Sequence, residues 1–370
     1  MKKIFFMPLL LVLVAGLLLA ACGEGDNNNG NTTPVGGDND NNDNGEAAEE
    51  GDFSARMVTD TGGVDDRSFN ESAWQGLQEF EADHDVEVSY IQSSDASEYS
   101  PNLNRLAREN TSISFAIGFL MEDDIRTVAQ RYENLNFAIV DTVVMDEDDN
   151  MIPNIANITF AEHEGSFLVG VVAGLQTETN QVGFIGGVES PLIKKFENGF
   201  KAGVKAVNPD AEINVQYAQD FNDASRGQQI ADTMYGNGAD IVYHAAGGTG
   251  NGVFTEAIDR ARNGENVWVI GVDQDQSEQG EWADGNVTLT SMVKRVNQAV
   301  YQVAEMTLNG EFPGGEVLEF GLDDQGVGIA ETTDNVTEES LDAIEDYKQQ
   351  ILDGELEVPQ TDEEYEQYLD

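Results

Sequence analysis

Ala55-Arg-Met-Val-Thr-Asp60-Thr-Gly-Gly-Val-Asp-Asp-Arg-Ser-Phe69-Asn70-Glu-Ser-Ala73-Trp-Gln-Gly-Leu77-Gln-Glu-Phe80 decides the fold class. Ala55 to Thr59 is short and, Arg56 aside, strand-like; Asp60 to Ser68 is rich in Gly and Asp; Phe69, Ala73, Leu77 and Phe80 then recur at helix spacing. That is strand, loop, helix. Further strands are expected at Val86 to Ile91, Ile113 to Ile117, Phe137 to Val140, Ile155 to Phe160, Val182 to Ile185, Ile213 to Tyr217, Ile241 to Tyr243, Val267 to Val272 and Val287 to Met292, with helical stretches between them. Ser190-Pro191 reads as an N-cap followed by proline at the first helical position, and Gly310 sits where the helix from about Lys294 should stop. Repeated units of this kind make an α/β protein with parallel sheets and crossover helices, in which ligands bind off the carboxyl ends of strands.

Upstream of that body, Lys2 and Lys3 precede an apolar run from Ile4 to Ala21, which ends in Leu19-Ala20-Ala21-Cys22. The run is marginal for a membrane span and contains Pro8, so residues 1–21 read as a cleaved leader. The box resembles the bacterial lipoprotein signal, whose cysteine is acylated and becomes the first residue of the mature chain; the bland alternative is a secretory signal with an incidental Cys. Cys22 is the only cysteine, so no internal disulfide is available. Residues 22–52 are almost entirely Gly, Asn, Asp, Glu and Thr, too polar to order themselves, and read as a disordered acidic tether. Several acyl chains would hold the protein to the cell membrane on its extracellular or periplasmic side, whereas one would be marginal.

The chain carries 70 Asp and Glu against 18 Lys and Arg, a formal net charge of -52, and the excess extends through the body as well as the two ends. Such a surface repels nucleic acid phosphates and anionic membranes. It suits surroundings of high salt or high pH.

The loops after the strands hold the chemistry. Asp60 ends the first strand, and Phe69 with Asn70 offers a stacking face beside an amide. Asp141 ends another strand; Tyr243 precedes the glycine-rich stretch Gly247 to Gly252, which contains Gly248; Asp273 ends the strand from Val267. Lys294 stands at a strand-to-helix junction in a body poor in bases. Two aromatic faces, carboxylates, an amide and one lysine suit a flat heterocycle carrying a hydroxylated sugar. Each residue also has an ordinary structural reading: a core phenylalanine, capping aspartates, a buried tyrosine, a lysine in an ion pair.

Other chemistries find less support. No Lys-Ser or Lys-Thr follows Gly252, and Val253 occupies the last glycine position of a GxGxxG count from Gly248. His84, His163 and His244 are scattered, and His163-Glu164 lacks the second His of HExxH. Asp146 to Asn150 opens like a calcium loop, but Met151 and Asn157 stand at its sixth and twelfth positions. A metal site, a cofactor and an enzymatic role such as nucleoside hydrolysis are therefore not expected. A sugar-type repressor would need a DNA-binding headpiece in place of the leader and tether.

Gly62 to Gly76, Lys195 to Val204, Tyr243 to Gly250 and Ser291 to Val296 together resemble the basic membrane protein family of lipoproteins, substrate-binding proteins of ABC importers typified by purine nucleoside receptors. The resemblance implies a type I periplasmic-binding-protein fold, two Rossmann-like lobes joined by three hinge crossovers and closing over a nucleoside. Lobe one would be 53–158 with 288–326, and lobe two 159–287 with 327–370. By motif position it implies Phe69 and Tyr243 as stacking rings, with Phe221 as the alternative to Tyr243. Asp60, Asn70 and Asp141 would be base-side polar groups, and Gly248, Asp273 and Lys294 ribose contacts. The implied partners are guanosine, adenosine or inosine, an ABC permease with its ATPase, and the membrane through Cys22, the protein acting as a monomer. A nucleoside sensor or surface adhesin is the alternative role.

Overall fold

Ile113–Ile117 and Ile241–Ala245 are buried at every position, the pattern of strands covered on both faces by crossover helices. The computed structural model describes residues 53–369; the leader, Cys22 and the tether lie outside the described residues. The chain begins β1 (Ser54–Thr59), α1 (Phe69–His84), β2 (Glu87–Ile91), α2 (Tyr99–Arg108), β3 (Ile113–Ile117), α3 (Glu122–Arg131), β4 (Asn136–Val140) and β5 (Ile155–Phe160). It continues through α4 (Glu162–Gln176), β6 (Gln181–Gly186), α5 (Pro191–Val207), β7 (Glu212–Tyr217), α6 (Ala224–Gly236), β8 (Ile241–Ala245), α7 (Asn251–Arg262) and β9 (Trp268–Asp273). A small hairpin, β10 (Glu281–Trp282) and β11 (Gly285–Asn286), leads to β12 (Thr288–Lys294). Then come α8 (Val296–Leu308), β13 (Val317–Phe320), β14 (Val327–Ile329), α9 (Glu338–Leu352) and α10 (Asp362–Leu369).

The strands form two six-stranded sheets, ordered β13-β5-β4-β3-β1-β2 and β14-β12-β9-β8-β6-β7. Pairing within them is parallel except at β14, which runs antiparallel to β12. Strand order reverses between β1 and β3 in one sheet and between β6 and β8 in the other. Crossovers diverge at such a point and leave a crevice beyond the carboxyl ends. Residues from both sheets' crevices line one cleft.

The chain passes between the sheets three times: after β5, after β12, and between β13 and β14. These passages lie side by side, since Ala161 N–H donates to Phe320 O at 2.9 Å and Arg295 N–H to Gly326 O at 2.9 Å. The sequence reading assigns 288–326 to the first lobe, and the structure corrects this at its start. Thr288–Lys294 pairs with β9 in the second sheet, so the change of lobe falls after Lys294. Strand periodicity marks a strand but says nothing of its non-local partner.

Local rules hold at the ends of several elements. The Ser190 side chain accepts from Ile193 N–H, with Pro191 opening α5, and Gly310 adopts φ 76° just past α8. Helices α4 and α5 touch backbone to backbone: a Cβ at Gly203 would stand 2.0 Å from Phe167 O. Side chains larger than hydrogen are excluded there. The C-terminal segment packs on this pair. Phe167 meets Tyr347 edge-on at 5.3 Å, and the Lys201 ammonium lies 4.1 Å from the centre of the Tyr365 ring. No helix among the described residues is long and apolar enough to cross a membrane.

Candidate functional site

The cleft between the two sheets encloses about 520 Å³ of space, counted to its solvent-open mouth. Asp60 just after β1, Gly118 after β3 and Asp141 after β4 come from the first sheet; Ala245 at the end of β8 with Ala246 and Gly247 after it, Asp273 from β9 and Lys294 from β12 come from the second. Phe69 and Asn70 open α1 on one side, and Phe196 and Phe221 stand on the other. Asp141 and Asp273 hold φ of 76° and 66°, a left-handed conformation costing an ordinary residue of order 1 kcal/mol. Aspartate tolerates it better than most residues, and here it serves to turn two carboxylates at strand ends into one cleft.

Loops from opposite sheets are already joined across the mouth. Asn222 Nδ2 donates to Thr61 O at 2.8 Å, Asn251 Nδ2 to Asp66 O at 3.1 Å, Gln274 Nε2 to Ser68 O at 2.9 Å and Gln276 Nε2 to Arg67 O at 2.8 Å. The Ser68 hydroxyl donates to Asp273 Oδ2. The lobes therefore stand in a closed arrangement.

Charge in the cleft is concentrated on Lys294, which is 1% exposed and lies 2.5 Å from Asp141 Oδ1 and 3.1 Å from Glu162 Oε1. Its ammonium sits among three rings, 5.1 Å from Phe69, 4.9 Å from Phe160 and 5.5 Å from Phe196. Burial alone would pull its pKa down, but the carboxylates of Asp141, Glu162 and Asp273 outweigh that, and the pKa rises above the usual lysine range. Glu162 also holds Lys195 at 3.2 Å. Burial pushes Asp60 up to about 7 against the hydrogen bonds from Asn70 and Gly62, and pushes Asp273 up to about 7 against Lys294 and Ser68.

These shifts set the sign of a pH effect. A carboxyl whose folded pKa exceeds its unfolded value of about 3.9 binds its proton more tightly when folded, so its contribution to stability falls as pH rises from about 4 to 7. In ligand-free protein, Asp60→Asn should therefore raise the melting temperature at pH 8 and leave it nearly unchanged at pH 4. Thermal melts of parent and variant across that range check this; equal shifts at both ends would remove Asp60 as the source.

Of the residues expected from the sequence, Asp60, Phe69, Asn70, Asp141, Asp273 and Lys294 all line the cleft. Tyr243 does not, which corrects that expectation. It is fully buried behind β8, its hydroxyl 3.1 Å from Ser166 Oγ and its ring against Phe184 and Phe200. Phe221, the alternative, is on the wall. Gly248 is also displaced: Gly247 lines the cleft, while Gly248 is buried one residue behind it. Sequence reasoning did not single out Phe196 and Leu192, which α5 turns toward the cleft, or Asp66, whose carboxylate accepts from the backbone N–H groups of Ser68, Asn70 and Glu71. It also passed over Glu162, for which the only signal is an acid directly after a strand. Among the described residues, no three or more His, Cys, Asp or Glu side chains are grouped to hold a metal ion.

This architecture is shared with known proteins. A family described as Bmp, ABC transporter substrate-binding protein PnrA-like, matches residues 53–362. The chain is 49% identical over 329 residues to the CD4+ T-cell-stimulating antigen of Listeria innocua, covering 86% of this chain and 91% of that protein. It is 41% identical over 320 residues to the ABC transporter nucleoside-binding protein BmpA of Lactococcus lactis, covering 83% and 89%. It is 32% identical over 324 residues to basic membrane protein A of Borreliella afzelii, covering 87% and 96%. Among solved structures, an ABC transporter solute-binding protein from Aeropyrum pernix superposes with a TM-score of 0.75 at 24% identity, covering 85% of this chain and 96% of that one. A sugar-binding ABC transporter protein from Bacillus halodurans gives 0.58 at 14%, covering 77% and 100%. At such identities these two bear on the fold alone, which is that of type I periplasmic solute-binding proteins. From the span of the family match and the identity to its relatives, the chain belongs to the Bmp family of PnrA-like ABC transporter substrate-binding proteins.

Proposed function

We propose that this protein is a receptor that captures purine nucleosides outside the cytoplasm and presents them to an ABC permease, held to the membrane by acyl chains on Cys22 and acting as a monomer. One observation carries the reading: a cleft at two facing switch points sets the Phe69 and Phe221 rings beside four aspartates, an amide and one buried lysine. Rings take a planar base, and carboxylates accept from ribose hydroxyls and base N–H groups. Four carboxylates against one lysine oppose a phosphate, so the ligand is a nucleoside in preference to a nucleotide. The name of the Lactococcus relative, a nucleoside-binding protein, supports the same class.

The mechanism follows from two lobes on three strands of chain. A nucleoside settles on one lobe, the other adds its contacts, and the population shifts to the closed form, which a permease distinguishes from the open one. This subunit makes and breaks no bond; ATP is hydrolysed by its partner. Mass spectrometry of protein taken from the membrane fraction tests both parts: denaturation should release a purine nucleoside, and the N-terminal peptide should carry acyl groups at Cys22. A sugar or peptide in place of the nucleoside would end the ligand reading, and an unmodified Cys22 the anchoring one.

A further inference from the structure

Of the four side-chain amides described above as reaching across the mouth, Gln276 alone is fully buried. Its Nε2 donates to Arg67 O at 2.8 Å and so ties a loop of the second sheet to one of the first. With the donor shut away from water, the bond is stronger than the same contact made at a wet surface. The acceptor is held by backbone strain, since Arg67 has φ 57°, a left-handed conformation that an ordinary residue rarely adopts. Strain of that kind persists where the surroundings use it, and here it sits at the carbonyl that the second lobe grips.

The Gln276 amide can face only one way. Its Oε1 accepts from Val272 N–H at 2.9 Å and lies 3.0 Å from His244 Nε2. Turned over, it would set its NH2 against the Val272 N–H and its oxygen against Arg67 O. The backbone is pinned as well: Gln276 N–H donates to Ser291 Oγ at 3.0 Å, and Gln276 O accepts from Thr288 Oγ1 at 3.2 Å. With Oε1 an acceptor, His244 carries its proton on Nε2, and its buried Nδ1 finds no hydrogen-bond partner among the described residues. Burial pushes the imidazole pKa down to about 4, so the ring is neutral near pH 7 and has that one N–H to give. Packing fixes the ring: it meets Phe254 edge-on at 5.6 Å, and a Cβ at Gly250 would stand 2.1 Å from Nδ1.

We infer that Gln276 is the latch of lobe closure and His244 its positioning residue. Neither side chain lines the cleft; together they set how long the closed form lasts. His244 fixes the amide oxygen, which aims the amide hydrogens at Arg67 O. The latch adjoins the bond from Ser68 to Asp273, so residues 66–68 and 272–276 engage as one patch. Closure over a captured ligand is the receptor reading above, on which this assignment rests.

Arg67 itself supplies the test. Trypsin cuts after exposed arginines, and the Arg67–Ser68 bond is shielded while its carbonyl is latched; Arg262, exposed at the end of α7, is the internal control. Nicking at both sites is followed by mass spectrometry in the parent, Gln276→Glu, His244→Phe and His244→Gln, with and without saturating guanosine. Glutamate keeps an acceptor for Val272 and His244 but sets an oxygen against Arg67 O, so nicking after Arg67 should rise roughly tenfold. His244→Phe should raise it about threefold, and His244→Gln, whose amide donates at the same reach, should return the parent's rate. Arg262 should be cut equally in all four, and guanosine should slow the parent's nicking after Arg67. Variants cut after Arg67 no faster than the parent, or faster at both sites alike, overturn the latch. Should Gln276→Glu not fold, the contrast between His244→Phe and His244→Gln decides. Guanosine that leaves the parent's nicking unchanged, while the variants behave as expected, overturns the nucleoside reading and leaves the latch standing.

Discussion

Lys294→Met is expected to cost about 3–5 kcal/mol of unfolding free energy, the range for a buried ion pair that loses one partner, and to abolish nucleoside binding. The loss comes from the acids left behind. Among the described residues, Asp141 has no side-chain hydrogen bond other than that from Lys294, whereas Glu162 keeps Lys195 at 3.2 Å. Asp141 is thus the stranded charge, and Asp141→Asn in the Lys294→Met background should regain most of the stability. Binding should not return, because Lys294 from β12 and Asp141 from β4 tie the second sheet to the first across the cleft. Denaturant unfolding of the single and double variants reads the stability, and calorimetry the binding. A Lys294→Met protein within about 1 kcal/mol of its parent would show that the lysine is not held by charge. Recovery of binding in the double variant would show that the tie does not serve closure.

Much of this arrangement was legible from residues 55 to 80 and their repetition, because strand, glycine-bearing loop and amphipathic helix each have a local cause. The carboxyl-end rule then pointed to loops that meet in one cleft, and six of the eight residues singled out stand on one wall of it or the other. Tyr243 failed for a physical reason. Every residue of β8 is buried, so the alternation that would tell which face a side chain takes is erased. Its ring went to the α4 and α5 side, and the cleft took its second ring from Phe221 in the loop after β7. β13 and β14 escaped notice because strands of four and three residues are too short for a period to show. The lobe assignment of Thr288–Lys294 depended on pairing with β9, a contact that no local pattern encodes. Asp66 read as a turn residue, and its hold on Asn70 emerges only once the loop is folded back on α1.

Asp273→Ala should weaken nucleoside binding by about 1.5–3 kcal/mol, the scale of a hydrogen bond to a charged group, or roughly 10- to 150-fold in Kd. Two effects combine in that expectation: on the proposed function the carboxylate accepts a ligand hydroxyl, and in the structure it receives Ser68 from the opposite lobe. Ser68→Ala isolates the second, and the double variant closes a thermodynamic cycle between them. Alanine at φ 66° adds backbone strain, but the strain is present with and without ligand and drops out of Kd. Asp273→Asn tolerates that backbone and keeps an acceptor oxygen, so it should lose less than alanine. Calorimetry with guanosine on the four proteins decides. If Ser68→Ala alone reproduces the whole loss, Asp273 acts by holding the lobes together; if Asp273→Ala binds like its parent, the residue has no part in the ligand site and the ribose must meet the protein elsewhere.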